Sequence, residues 1–180
     1  GSSSSKQSSS ATTSTSRGTT IQAQDIEITA TKGDITATGA KLQADNITLD
    51  AANDINLLAA VNTGTIQSSS ESHSVGAGVT IGFGQQSGIS FQLSAGQSNG
   101  KANGSETSFA NTLLTATKNL TVKSGGDTNL VGAQLAGNTV KMDVGGDLNV
   151  VTLQDTSDFT SEQHSSGFSI SVCVPPICYG

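Results

Sequence analysis

Apolar and polar positions alternate along this chain in very short bursts. A turn residue followed by an apolar-polar-apolar triplet recurs at Asp25-Ile26-Glu27-Ile28, Asp34-Ile35-Thr36-Ala37, Asn46-Ile47-Thr48-Leu49 and Asp54-Ile55-Asn56-Leu57. Each triplet is a minimal strand with two side chains facing one way and one facing the other. Shorter pieces, Ile21-Gln22-Ala23 and Leu42-Gln43-Ala44, lie between them. Ile21 to Leu42 and Ile26 to Ile47 are 21 residues apart, and Ile35 to Ile55 is 20. Three short strands therefore return about every twenty residues. One such rung cannot bury its own apolar face, so successive rungs are expected to stack and pile equivalent Ile, Leu and Val side chains into internal rows.

The array returns as Asn119-Leu120-Thr121-Val122, Asp127-Thr128-Asn129-Leu130, Thr139-Val140-Lys141-Met142 and Asp147-Leu148-Asn149-Val150, at an offset of 93 residues from Asp34 to Asp127 and from Asp54 to Asp147. The Asp or Asn before each strand is read as a corner former, because these residues tolerate the left-handed conformation and bond to neighbouring backbone. Each array is followed by a polar stretch with a shared mark, Glu71-Ser72-His73-Ser74 and Glu162-Gln163-His164-Ser165. In the first copy it continues as Val79-Thr80-Ile81-Gly82-Phe83, a turn over Gln85-Gln86-Ser87-Gly88, then Ile89-Ser90-Phe91-Gln92-Leu93, which predicts two strictly alternating strands of a hairpin. The second copy opens alike with Phe168-Ser169-Ile170-Ser171-Val172, but Pro175-Pro176 is expected to stop regular pairing.

The expected fold is all-β: a right-handed parallel β-helix with three short strands per rung of about twenty residues, carrying protruding antiparallel β-hairpin arms. Residues 1–19 read as the returning leg of a preceding arm, partly disordered without its partner. Residues 20–65 form the first set of rungs, 66–111 the hairpin arm, 112–157 the second set of rungs, and 158–180 a truncated second arm and tail.

Composition narrows the function. Hydrophobic residues make up 33% and aromatic residues 3% of 180 residues, which suits thin repetitive β structure better than the thick core of a globular enzyme. Eight basic residues against fourteen acidic ones, with no basic cluster, argue against nucleic acid, whose phosphates need clustered Lys or Arg. No signal peptide and no apolar run long enough for a transmembrane helix are present, so the chain is either cytosolic or a piece of something longer, and the piece is the expectation. Cys173 and Cys178 flank the only two prolines and are spaced to close a small disulfide loop, which implies an oxidising compartment; two free thiols are the alternative.

Candidate chemistry is sparse. Gly125-Gly126-Asp127 and Gly145-Gly146-Asp147 share part of a calcium-binding β-roll motif, but their spacing of 20 and the missing third glycine favour a turn. Glu71 with His73, and Glu162 with His164, stand two apart and project from one strand face, giving two metal-ligand types per copy where three or four are usual. No nucleophile elbow or phosphate loop occurs, so no catalytic residue and no cofactor is expected, and the chain is not read as an enzyme. Val79, Ile81, Phe83, Ile89, Phe91 and Leu93 give the hairpin one apolar face backed by a nearly bare one. That face either packs on the rungs, or contacts a membrane or partner through strands of outer-membrane length.

These residues resemble the haemagglutinin-type repeats of two-partner-secretion exoproteins, the filamentous haemagglutinin and contact-dependent growth inhibition toxin family. The resemblance is carried by Ser124-Gly125-Gly126-Asp127-Thr128-Asn129-Leu130, Gly145-Gly146-Asp147-Leu148-Asn149-Val150, Leu153-Gln154-Asp155-Thr156 and the tail from Val172 to Gly180. It implies a secreted, cell-surface exoprotein, exported through a dedicated outer-membrane transporter, whose repeats help deliver a C-terminal toxin to a neighbouring bacterium. Contact would be with the target outer membrane or a surface receptor. The alternative is an adhesin module that binds surface glycan or protein.

Overall fold

A computed structural model of the chain describes residues 1–82 and 88–174, and among these the fold is all-β, with strands and no helix. Two compact units are present, one of residues 13–64 and 106–157, the other of residues 1–12, 65–105 and 158–180.

In the first of these units the strands are β2 (Thr20–Gln22), β3 (Asp25–Ala30), β4 (Ile35–Thr38), β5 (Lys41–Ala51), β6 (Ile55–Leu58), β9 (Thr112–Ser124), β10 (Thr128–Val131), β11 (Ala133–Ala136), β12 (Thr139–Val144) and β13 (Leu148–Val151). Every pairing among them is parallel. Ile21 lies beside Leu42, Ile26 beside Ile47 and Ile35 beside Ile55. Leu42 then neighbours Leu114, Ile47 neighbours Leu120, and Ile55 neighbours Thr128. Leu135, Val140 and Leu148 complete the rows. The chain thus forms four tiers, residues 20–39, 40–59, 112–132 and 133–153. Tiers two and three pair at an offset of 73 residues along β6 and β10, where adjacent tiers elsewhere pair at 20 or 21.

One expectation needs correction. Two strands of each middle tier are not separate but run together as β5 and β9, with a register shift between Ala44 and Asn46 as the trace of the corner. Asp45 at that corner is held by the Thr117 hydroxyl at 2.6 Å and the Lys118 ammonium at 2.9 Å. Both contacts favour the carboxylate, so its pKa is lowered, chiefly by Thr117, and that of Lys118 is raised by Asp45.

Burial follows the rows. Ile47, Leu49, Ile55, Leu57, Leu114, Leu120 and Val122 of the two middle tiers are at most 1% exposed, because each has a row neighbour above and below, apolar in every case except Thr128 beside Ile55. Polar side chains enter this core only where the backbone demands them. Thr112 begins β9, where the chain returns after its long excursion; its hydroxyl donates to the Leu58 carbonyl at 2.6 Å and accepts from the Ala40 N–H at 3.2 Å. Buried Ser124 and Thr128 bond to each other at 2.8 Å, and no described buried side-chain polar atom lacks a partner.

The corners repeat with the tiers. The Asp54 N–H donates to Asp34 Oδ1, the Asp127 N–H to Asp54 Oδ1 and the Asp147 N–H to Asp127 Oδ1, at 3.1, 2.8 and 2.8 Å. Each carboxylate therefore receives the backbone of the next tier. The glycines before the later aspartates make room for this: a Cβ on Gly126 would overlap Asp54 Oδ1, and one on Gly146 would overlap Asp127 Oδ1. A Cβ on Gly125 would collide with the Ala52 carbonyl itself. The Gly-Gly-Asp motif is thus a close-packing corner. Asn side chains form a second series, Asn129 Nδ2 donating to Asn56 Oδ1 and Asn149 Nδ2 to Asn129 Oδ1, at 2.8 and 2.9 Å. Gly39 and Gly132, 93 residues apart, are the residues with positive φ among the described ones, at 59° and 60°.

The other unit is one sheet in the order β1 (Ser2–Ser14), β7 (Ala60–Gly82), β8 (Gly88–Ala110) and β14 (Thr156–Val174). The Ser/Thr tract expected to be partly disordered is therefore a strand. It has a partner in β7, a pairing that composition does not reveal.

Candidate functional site

Side chains on a strand alternate between faces, so the register of β7, β8 and β14 decides which residues share a surface. A Cβ on Gly76 would meet the Ser94 hydroxyl, one on Gly78 the Gln92 side chain and one on Gly100 the Ser70 hydroxyl. As positions rise along β7 they fall along β8, so the two run antiparallel, and Gly76 and Gly78 share a face with Gln92 and Ser94. The opposite face then carries Val75, Val79 and Ile81 beside Ile89, Phe91 and Leu93.

On the other side of β8, a Cβ on Gly96, Gly100 or Gly104 would face the carbonyls of Ser166, Glu162 and Asp158 in turn, so β14 is also antiparallel. His73, Val75, Ala95, Gln97, Ser166 and Phe168 line one shallow concavity. This places Phe168, and by alternation Ile170, Val172 and Val174, on the apolar face. Its ten apolar side chains are 43–59% exposed. Side chains on the reverse of the same segments are Ser, Thr, Gln, Cys173 or the hydrogen of glycine.

The apolar zone spans seven residues of β7 and of β14 and five of β8, or roughly 20 Å at about 3.3 Å per residue. That covers most of the height of the apolar band on an outer-membrane barrel, about 25 Å. Towards the other end of the strands the same face turns polar, with Glu71 and His73 on β7, Lys101 on β8, and Glu162 and His164 on β14. His73 Nε2 lies 3.0 Å from Glu71 Oε1, and both side chains are about half exposed.

The structure brings five of the six apolar candidates onto one face; the sixth, Phe83, lies outside the described residues. It does not bring the two Glu-His pairs together, since β8 separates β7 from β14. No group of three or more metal-ligand side chains is found among the described residues. Cys173 takes part in a disulfide, and Cys178, the partner expected for it, lies outside the described residues, as do Pro175 and Pro176. Phe168, Ile170 and Val172 were not among the predicted contact residues. The signal for them is the repeat offset, since Phe168, Val172 and Val174 stand 93 residues after Val75, Val79 and Ile81.

A sequence model described as "Hemagglutinin repeat" matches residues 1–167. The tRNA nuclease CdiA of Yersinia mollaretii is 36% identical over 129 residues, covering 71% of this chain and 4% of that protein. Toxin CdiA of Escherichia coli is 37% identical over 121 residues, and the deoxyribonuclease CdiA of Dickeya dadantii 36% over 123, each covering 67% of this chain and 4% of the relative. The chain thus spans about one twenty-fifth of the length of these relatives. No solved structure matches it.

Proposed function

Since this chain belongs to the hemagglutinin-repeat family of CdiA-type secreted, cell-surface exoproteins, we propose that it is a stalk segment whose sheet arm contacts the outer membrane of a target cell. The whole protein would leave the producing cell through a two-partner-secretion transporter and carry a toxin beyond this region. The four tiers are then successive rungs of a right-handed parallel β-helix, residues 20–65 and 112–157, and the arms are residues 1–19, 66–111 and 158–180. The chain itself has no catalytic part in this reading.

What supports membrane contact is the one-sided, exposed apolar face, tall enough to cover most of an outer membrane's apolar band and bordered by charged and histidine side chains. Exposure of that face weighs against its serving only as packing. Each half-exposed side chain would contribute roughly 1 kcal/mol on entering lipid. Vesicles of phosphatidylethanolamine and phosphatidylglycerol are expected to carry the chain in flotation, and Phe91→Asn with Leu93→Asn to lower the bound fraction about tenfold. Equal flotation of variant and parent, or none by either, sinks the membrane reading. Binding of the parent to lipid-free surface extracts with no flotation would favour the adhesin alternative.

The proposal also pairs Cys173 with Cys178 across the two prolines, closing a small loop suited to an oxidising compartment. Intact mass after alkylation without reductant is expected to show no added thiol label. Two labels would reject the pair.

A further inference from the structure

Where the apolar face of the sheet gives way to polar side chains, it is hollowed. A Cβ on Gly96 would meet the Ser74 hydroxyl, and one on Gly167 would lie 3.5 Å from the Gly96 Cα. Residues 74, 96 and 167 therefore stand abreast on the reverse face. One step to either side, the apolar face carries the rows Val75-Ala95-Phe168 and His73-Gln97-Ser166. These side chains line a concavity of about 410 Å³, within the range of small-molecule sites, about 300–1,000 Å³. Its floor is Ala95, the smallest of the six. One half of the wall is hydrocarbon, and the other is imidazole, amide and hydroxyl. Polarity continues in the next row on the same face, Glu71, Asn99 and His164. Glu71 Oε1 lies 3.0 Å from His73 Nε2. A carboxylate only accepts, so Nε2 carries the proton and Nδ1 is left as an acceptor.

We propose that this depression seats the first sugar of a glycolipid headgroup, with the acyl chains of the same lipid along the apolar face. A ligand astride this line must be apolar on one side and hydrogen-bonding on the other, which is the junction of chains and headgroup in a membrane lipid. The class of headgroup follows from the polar wall. Gln97, Asn99 and Ser166 each donate and accept, as every sugar hydroxyl does, and Glu71 adds an acceptor. A phosphate headgroup calls instead for converging Lys or Arg. The cation of β8 is Lys101, four residues past Gln97 and so roughly 13 Å away at about 3.3 Å per residue.

This inference rests on the membrane reading, and the test separates the two. Flotation of the full chain is compared on three vesicles: phosphatidylethanolamine with phosphatidylglycerol, the same with digalactosyl diacylglycerol replacing part of the phosphatidylethanolamine, and the same enriched in phosphatidylglycerol. The glycolipid presents sugar hydroxyls without adding charge, and it is expected to raise the partition coefficient about fivefold. Ala95→Leu fills the floor with hydrocarbon, so it should float on the plain vesicles as the parent does and lose the gain from glycolipid. Gln97→Leu, which removes the amide at similar bulk, should lose that gain as well. No gain from glycolipid in the parent, an undiminished gain in both variants, or a larger gain from phosphatidylglycerol overturns the headgroup assignment and leaves the membrane reading standing. Absence of flotation on every vesicle overturns both.

Discussion

Replacing residues 65–105 by a two-residue Asn-Gly turn is expected to leave the tiers folded and to abolish association with lipid vesicles. Gly64 and Glu106 face each other across β7 and β8, a Cβ on Gly64 lying 3.8 Å from that of Glu106, so a type I′ turn closes the cut without moving either strand. Core residues Ile47, Leu49, Ile55, Leu57, Leu114, Leu120 and Val122 all lie outside the removed segment. Six of the ten apolar side chains of the sheet face go with it, and β1 and β14 lose the strands that hold them. At roughly 1 kcal/mol for each side chain entering lipid, the loss exceeds what the remaining four supply. Far-UV circular dichroism and a retained cooperative melt would verify the first half, and flotation the second. An unfolded product shows that the tiers depend on the arm; a product that still floats places lipid contact elsewhere.

The second large effect lies at a corner. Gly125→Ala puts a methyl group where the Ala52 carbonyl already is, and neither partner is a flexible side-chain end. Relief requires tier three to move away from tier two, which strips contacts from Leu49 and Val122, neighbours in the same row. A cost on the order of 3 kcal/mol or more is expected. Gly33→Ala is the control, since a Cβ there meets nothing within 4 Å, and it should change stability by no more than about 0.5 kcal/mol. Urea unfolding midpoints of the two variants decide the matter: similar midpoints would mean that the tiers are not held this tightly.

The row partners were legible because stacking demands the same residue class at the same place in every tier. Ile21 with Leu42, Ile26 with Ile47 and Ile35 with Ile55 are separated in sequence by the length of one tier, and they are neighbours in space. Function of the Gly-Gly-Asp corner was only half legible. A turn could be read from the residue types, but the carboxylate's service to the next tier is a contact between residues 20 or 73 apart. Thr112, Thr128 and Ser124 look like outward strand residues, and only the bonds that satisfy them explain their burial. The apolar face was legible within one hairpin, where alternation is local. Adding Phe168 and its neighbours required the pairing of β8 with β14, which connects residues more than sixty apart at the apolar end. The Ser/Thr tract failed for the same reason, its order being supplied by a partner strand.

The step of 73 residues between tiers two and three also bears on how the chain finds its fold. An open loop of about fifty residues would tax every encounter between β5 and β9 with closure entropy, each doubling of length costing about 0.6 kcal/mol. Once β7 has zipped onto β8, however, Gly64 stands beside Glu106, and the distance left to close is that of a loop of a few residues. The difference is about 2 kcal/mol, in favour of the hairpin forming first. Long in sequence and short in space, the insertion lets tier two template tier three almost as directly as tier one templates tier two.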